Sequence, residues 1–142
     1  MNKTNNGFTL LELIVVLAVL AIIAAILIPN FFAATDRARI RSDIQSARVI
    51  HNALVLYRTE RGQDAQGSNM TEILTSLQTA GYLDSGDINK QTQNAEWRQY
   101  EPLGIVVNIS GVSDAGVHRA ANGLPPEERQ FVHGINTTLA GG

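Results

Sequence analysis

Apolar residues are concentrated in one uninterrupted segment near the N-terminus. Residues 13–28 contain only Ala, Val, Ile and Leu, and the single charge in residues 8–28 is that of Glu12. As a helix these 21 residues would be about 31 Å long, which matches the roughly 30 Å hydrocarbon core of a bilayer. β-Branched residues are frequent here, but a lone strand in lipid would leave its backbone groups without partners. The pattern therefore predicts a transmembrane helix.

Apolar residues return at helical spacing beyond Pro29. Proline in a helix interior removes one backbone hydrogen bond and crowds the preceding turn, so Pro29 marks either the end of the helix or a kink within it. The following residues favour a kink, because steps of three and four separate the members of one apolar stripe: Ile40, Ile44, Ala47, Ile50, Leu54 and Tyr57. This amphipathic half is predicted to reach about Arg61 and to end near Gly62.

Residues 69–83 predict a short helix after a polar loop. Asn69 is placed to cap its N-terminus, Glu72 lies in its first turn, and Gly81 is typical of a helix end. Further on, residues 95–100 and 104–110 predict two strands of an antiparallel hairpin.

The C-terminal residues carry weaker patterns. Two prolines followed by acids predict a short helix over 125–134, and the tail after it is predicted to be either a final strand or frayed. The predicted fold class is α+β: a long N-terminal helix, transmembrane in its first half and amphipathic in its second, which packs on a small antiparallel sheet head.

Charge divides the chain although the net charge is only −2. Residues 35–61 carry six arginines against three acids, and residues 62–142 carry four basic residues against nine acids. This polarity indicates either attraction between the head of one copy and the stem of another, or simple solvation. Cysteine is absent, so disulfides and thiolate metal sites are excluded.

Three interpretations fit the apolar segment. A secretory signal cut after the segment requires small residues at the cut, and Phe32 stands three residues before the most plausible position. A plain membrane anchor accounts for the length and for Lys3 in the leader, but not for the Gly7–Phe8 junction or for the acid. The third interpretation rests on that junction and on the run "FTLLELIVVLAVLAIIAAILIPN".

A short polar leader, Gly7, Phe8 and this apolar run closely resemble the start of type IV pilins and of type II secretion pseudopilins. The resemblance covers residues 1–31 and is looser to about residue 61. It implies that a prepilin peptidase cuts between Gly7 and Phe8 and that Phe8 is then N-methylated. It also implies a lollipop fold.

In that case residues 1–7 are a cleaved leader, residues 8–35 a transmembrane and filament-core helix, and residues 36–142 the globular head. The resemblance further implies that the chain is first held in membrane lipid as a single-pass inner-membrane protein with an exported head. It would then self-associate, with an assembly platform and ATPase, into a cell-surface or periplasmic filament.

The kind of filament stays open. A type IV pilin would form a surface fibre, and a pseudopilin would form a short filament for protein export. The missing cysteines count against many pilins, whereas the missing calcium pattern counts against the commonest major pseudopilin. A hypothesis from another class is a singly anchored binding domain that does not polymerise.

Glu12 is the residue that a plain anchor leaves unexplained. A lone carboxylate buried in a filament would be penalised by several kcal/mol, so a cation is expected beside it. The resemblance implies that this cation is the Phe8 amine of an adjacent copy. One pattern opposes the implied topology, because the arginines after the segment would place the head in the cytoplasm by the positive-inside rule.

No motif for catalysis or cofactor binding is present, so we predict that the chain is not an enzyme and has neither a cofactor nor a metal. His51, His118 and His133 lack ligand spacing, and Asp84, Asp87 and Asn89 are predicted to form a turn rather than a calcium loop.

Arg37 and Arg41 share a helix face that lipid headgroups, acids of another copy or DNA could contact. No motif supports nucleic-acid binding, and a solvated face is the simpler interpretation.

Overall fold

A single helix, α1 (Leu10–Arg61), forms the N-terminal part of the computed structural model, which describes residues 8–100 and 104–140. The other elements follow in this order: α2 (Met70–Thr79), β1 (Glu96–Tyr100), β2 (Gly104–Asn108), α3 (Ala115–Asn122), α4 (Pro126–Arg129), β3 (Val132–His133) and α5 (Thr137–Ala140). The chain divides into two compact units between Ala34 and Thr35, so α1 contributes to both. The predicted α+β class is confirmed.

The helix continues through Pro29, as the apolar spacing predicted. Proline has no N–H to donate, so one carbonyl in the preceding turn loses its usual partner. Next to this gap, the Asn30 side-chain Nδ2 donates to the Ile26 carbonyl at 3.1 Å. The alternative that the helix ends at the proline is therefore wrong.

The second half of α1 provides the main apolar face of the head. Ile40, Ile44, Ala47 and Ile50 are all at most 2% exposed, as the predicted stripe requires. They belong to one core cluster with residues from α2, the sheet and α3, among them Leu77, Ile105, Val107, Ile109 and Ala121. Burial of each isoleucine contributes about 1.5–3 kcal/mol relative to its exposure, so this stripe is what joins α1 to the rest of the head.

The sheet has the order β1-β2-β3 and is mixed. β1 and β2 form the predicted antiparallel hairpin, in which Trp97 lies opposite Val107. β3 instead runs parallel to β2, with Val107 opposite Val132. The prediction of a purely antiparallel sheet is therefore correct only for the hairpin. The reason is the connection: the chain returns to β2 through α3 and α4, and a crossover of this length allows a parallel strand.

Of the shorter elements, α2 was predicted correctly, whereas the C-terminal elements differ from the prediction. Asn69 caps α2 by accepting a hydrogen bond from Glu72 N at 3.0 Å, as expected. The predicted helix over 125–134 is limited to α4, and the residues after it form β3. The described part of the tail forms α5 rather than a strand.

α3 was not predicted, although its N-cap is visible in the sequence. The Asp114 side chain accepts from Gly116 N at 2.8 Å, and the apolar positions Val117, Ala120, Ala121 and Leu124 follow at helical spacing. Small residues and a glycine in the first turn weaken this signal, so only packing on the core makes the helix evident.

A buried carboxylate ties the loop after α2 to α1. Asp43 is 0% exposed, and its two oxygens accept from the backbone N–H groups of Gln91 at 2.7 Å and Thr92 at 2.9 Å. A buried acid is stable when charge-assisted hydrogen bonds of this kind replace its hydration. Asp43 therefore attaches this loop to α1 in addition to the apolar contacts of Leu83 and Ile88 with the core.

In a fragment of residues 36–142, we expect Asp43→Asn to lower the free energy of unfolding by about 2–3 kcal/mol. The amide has one acceptor oxygen for two donors, and the remaining bond is no longer charge-assisted. Urea unfolding followed by circular dichroism measures the change. The matched control is Asp64→Asn, whose carboxylate is 74% exposed in a pair with Arg58 and should change stability by at most about 0.5 kcal/mol. Equal losses at both positions would contradict the role given to Asp43.

Candidate functional site

The first part of α1 exposes its apolar side chains on every face. The large apolar residues between Phe8 and Phe32 range from 47% exposed at Ile23 to 82% at Phe8. None of the residues in its most apolar 18-residue stretch is buried. By length and composition, α1 could therefore cross a membrane. Water is a poor solvent for such a surface, so it requires lipid or other protein copies around it.

Glu12 forms a capping box with Thr9 at the start of this helix. The Glu12 carboxylate oxygen Oε2 accepts from the Thr9 backbone N–H at 2.9 Å and from the Thr9 hydroxyl at 2.8 Å. In return, the Glu12 backbone N–H donates to Thr9 Oγ1 at 3.3 Å. Both residues satisfy backbone donors that the first helical turn leaves without partners. The acid therefore has a structural role within its own chain.

Thr9 is the functional residue that the sequence prediction missed. The signal was present, since a threonine followed three residues later by a glutamate before an apolar run is the pattern of a capping box. Both hydrogen bonds reach the same carboxylate oxygen of Glu12. Among the described residues, the other oxygen, Oε1, accepts no hydrogen bond, so the capping arrangement leaves one side of the carboxylate for a further partner.

The predicted site residues lie at different depths along α1. Phe8 immediately precedes the capping box and is exposed, whereas Gly7 lies outside the described residues. Pro29 is 17 residues beyond Glu12, which corresponds to about 26 Å of helix, so it does not belong to the same site. The structure thus brings Thr9 and Glu12 into one capping box, with Phe8 directly before it in the chain.

The basic residues beyond the apolar segment are mostly engaged within the head. Arg41 Nε lies 3.0 Å from Glu128 Oε2 of α4, and the Arg48 guanidinium lies 4.9 Å from the centre of the Phe131 ring. Arg39 pairs with Asp36 at 3.7 Å. Arg41 therefore serves the head, and the predicted pair Arg37 and Arg41 does not present two equivalent cations to an outside partner.

The residues considered for metal binding are engaged in local structure. Asp87 Oδ2 accepts from Asp84 N at 3.0 Å, and Asn89 N donates to the Gly86 carbonyl at 3.3 Å, so this segment forms a turn. In the described parts of the chain, no three His, Cys, Asp or Glu side chains are grouped so as to hold a metal ion.

Comparisons with known proteins agree with this N-terminal site. Residues 2–28 match the family model described as the prokaryotic N-terminal methylation motif. The chain is 28% identical over 109 residues to the type II secretion system core protein G of Aeromonas hydrophila, covering 71% of this chain and 74% of that protein. No solved structure matches the chain.

The names of two further relatives refer to a prepilin peptidase and to fimbriae. The prepilin peptidase-dependent protein A of Clostridium perfringens is 40% identical over 81 residues, covering 57% of this chain and 56% of that protein. A fimbrial protein of Neisseria meningitidis is 29% identical over 97 residues, covering 68% of this chain and 57% of that protein. The chain thus spans little more than half the length of these two relatives. The resemblance to type IV pilins and type II secretion pseudopilins is confirmed.

We expect Thr9→Ala to loosen the first turn of α1, because the Glu12 carboxylate loses the Thr9 hydroxyl as a donor and the Glu12 backbone N–H loses Oγ1 as its acceptor. Loss of such a cap costs about 1 kcal/mol, which corresponds to roughly fivefold faster amide exchange. Hydrogen exchange of residues 10–13 in detergent micelles measures it. Thr9→Ser retains the hydroxyl and is the matched control. Equal exchange in the Ala and Ser variants would show that the capping box does not stabilise this turn.

Proposed function

We propose that this chain is the subunit of a helical filament of the type IV pilus type. One observation carries the proposal: the first part of α1 is apolar on every face, its described side chains are exposed, and it carries a single carboxylate at its N-terminal end. Apolar side chains of this kind fit equally well in lipid and against the same helix of other copies. The transfer from membrane to filament then involves little change in apolar exposure.

The membrane form is a single-pass inner-membrane protein with its N-terminus in the cytoplasm and an exported head. The methylation motif over residues 2–28 supports this orientation, although the arginines after the segment favour the opposite one. Pro29 would provide a kink in the helix near the far side of the bilayer. A prepilin peptidase, an assembly platform with its ATPase and membrane lipid are the partners that this pathway requires.

Cleavage between Gly7 and Phe8 is the first step of the proposed pathway. A glycine at the cut lets a peptidase approach the carbonyl closely, and the polar leader keeps the junction outside the hydrocarbon core. Cleavage creates the amino group of Phe8, which is N-methylated and remains a cation. The mature chain thus gains a positive charge four residues before Glu12, about 6 Å along the helix.

We expect mass spectrometry of the native protein to find a mature chain that begins at N-methylated Phe8. Gly7→Val should stop maturation because its branched side chain blocks access to the carbonyl. Asn6→Val adds the same side chain one position earlier and should still be cut. A mature chain that keeps Met1, or one cut after residue 28, would exclude this pathway.

Glu12 is proposed to pair with the Phe8 amine of an adjacent copy. In the membrane its carboxylate lies near the cytoplasmic face, where it can reach water at modest cost. Inside a filament that route is closed, and an unpaired buried carboxylate is strongly penalised. The oxygen that Thr9 leaves without a hydrogen bond is the atom available to this cation. The pairing would set a stagger of one or two helical turns, on the order of 5–11 Å.

Two substitutions of Glu12 separate pairing from capping. Glu12→Ala removes both roles, whereas Glu12→Gln keeps an acceptor for Thr9 and removes the charge. We expect both variants to be inserted and cleaved normally but to form few filaments by electron microscopy, because neither can neutralise the neighbour's amine. Abundant, normally staggered filaments from the Gln variant would mean that capping alone explains the acid.

A pseudopilin of a type II secretion system is the second candidate. It is supported by the type II secretion core protein G, which aligns over 74% of its own length. Loss of the gene distinguishes the two candidates: loss of surface fibres with normal protein export supports a pilin, and loss of export supports a pseudopilin.

A further inference from the structure

His118 lies buried in the head and takes no part in the proposed filament pathway. It is 1% exposed and lies on α3, which packs against α5. Its ring contacts two backbone groups: Nε2 is 2.7 Å from the Val112 carbonyl oxygen, and Nδ1 is 3.1 Å from the Asn136 nitrogen.

These two contacts determine the tautomer of the ring. The Asn136 backbone N–H can only donate, so Nδ1 must accept and carries no proton. The Val112 carbonyl can only accept, so the single ring proton lies on Nε2. The neutral imidazole is therefore the form that both neighbours require. A second proton, on Nδ1, would place two N–H groups against each other.

The Asn136 hydrogen bond joins residues 135–140, the C-terminal segment, to the rest of the head. Before this segment the chain is held firmly, because Ile109 N donates to the His133 carbonyl at 2.9 Å. Within the segment, Asn136 Oδ1 accepts from Thr138 N and Leu139 N. These bonds shape α5 without attaching it to α3, whereas the bond from Asn136 N to His118 Nδ1 joins the segment to α3.

We propose that His118 is a pH-sensitive latch that holds the C-terminal segment on α3 when neutral and releases it when protonated. Because both backbone contacts use the neutral ring, protonation opposes the closed state, so the latch is favoured at higher pH and opposed at lower pH. Opening exposes apolar residues of the segment that are now half-buried, such as Ile135 and Leu139. This inference is independent of filament formation.

Three charged residues around α3 make contacts away from the His118 ring. Asp114 caps α3 through Gly116 N, and Asp36 of α1, which lies close to Gly116, pairs with Arg39. Arg129 of α4 donates to the Asn122 carbonyl at the other end of α3. Arg119 follows His118 directly on α3, His133 lies on β3 against Asn108, and α5 itself contains no ionisable side chain.

The test is hydrogen exchange of the full chain in detergent micelles at pH 7.5 and pH 5, corrected for intrinsic exchange. Wild type should lose protection in residues 135–140 by on the order of tenfold at the lower pH, which is the effect of losing one hydrogen bond, while β2 stays protected. His118→Gln should show the same protection at both pH values, because its amide can accept from Asn136 and donate to Val112 but cannot be protonated.

His51→Gln and His133→Gln are the matched controls and should respond to acid like wild type. The latch is refuted if His118→Gln loosens as wild type does, or if wild type keeps full protection at pH 5. If His118→Gln does not fold, nitrogen NMR of the wild-type ring provides the second measurement. Nδ1 should gain its proton over the same pH range in which the segment loosens, and protonation without loosening would overturn the proposal.

Discussion

The apolar side chains between Phe8 and Phe32 are exposed in the described part of the chain, and the rest of the molecule can be understood from that constraint. A surface that is apolar on every face must be surrounded by lipid or by other copies. Because both environments are apolar, the same side chains can serve in both. The two environments differ in the cost of a charged side chain, because a charge in the bilayer can reach a nearby aqueous surface and a charge inside a helix bundle cannot. The single carboxylate at Glu12 is therefore the residue on which the two states differ most.

The capping box adds a second reason for an acid at this position. Thr9 and Glu12 satisfy backbone donors at the start of α1, a place where an apolar environment would make unpaired N–H groups costly. The hydrogen bonds occupy one carboxylate oxygen, so capping and pairing with an amine are compatible. For the proposed pairing, a carboxylate that the first turn already holds in a defined position would lose less entropy when a cation binds.

α1 changes character within one continuous helix. Up to Ala34 its large apolar residues are exposed, and beyond that point one stripe is fully buried in the head while its arginines contact neighbouring elements. The head is then completed by polar attachments as well as by apolar packing: Asp43 holds the loop before β1, Arg41 holds α4, and His118 holds the C-terminal segment.

The sequence by itself determined those parts of the protein whose structure depends on residues close together in the chain. The uninterrupted apolar run, the helical spacing beyond Pro29 and the cap at Asn69 led to correct predictions of α1, α2 and the β1–β2 hairpin, because periodicity and capping depend on residues close in the chain. The tertiary structure alone decided the parallel pairing of β3 and the roles of Asp43 and His118. Each of these depends on a backbone group brought close from a distant part of the chain: Gln91 lies 48 residues from Asp43 and Asn136 lies 18 residues from His118. The spacing of neighbouring residues does not predict such partners, because the packing of the core brings them together.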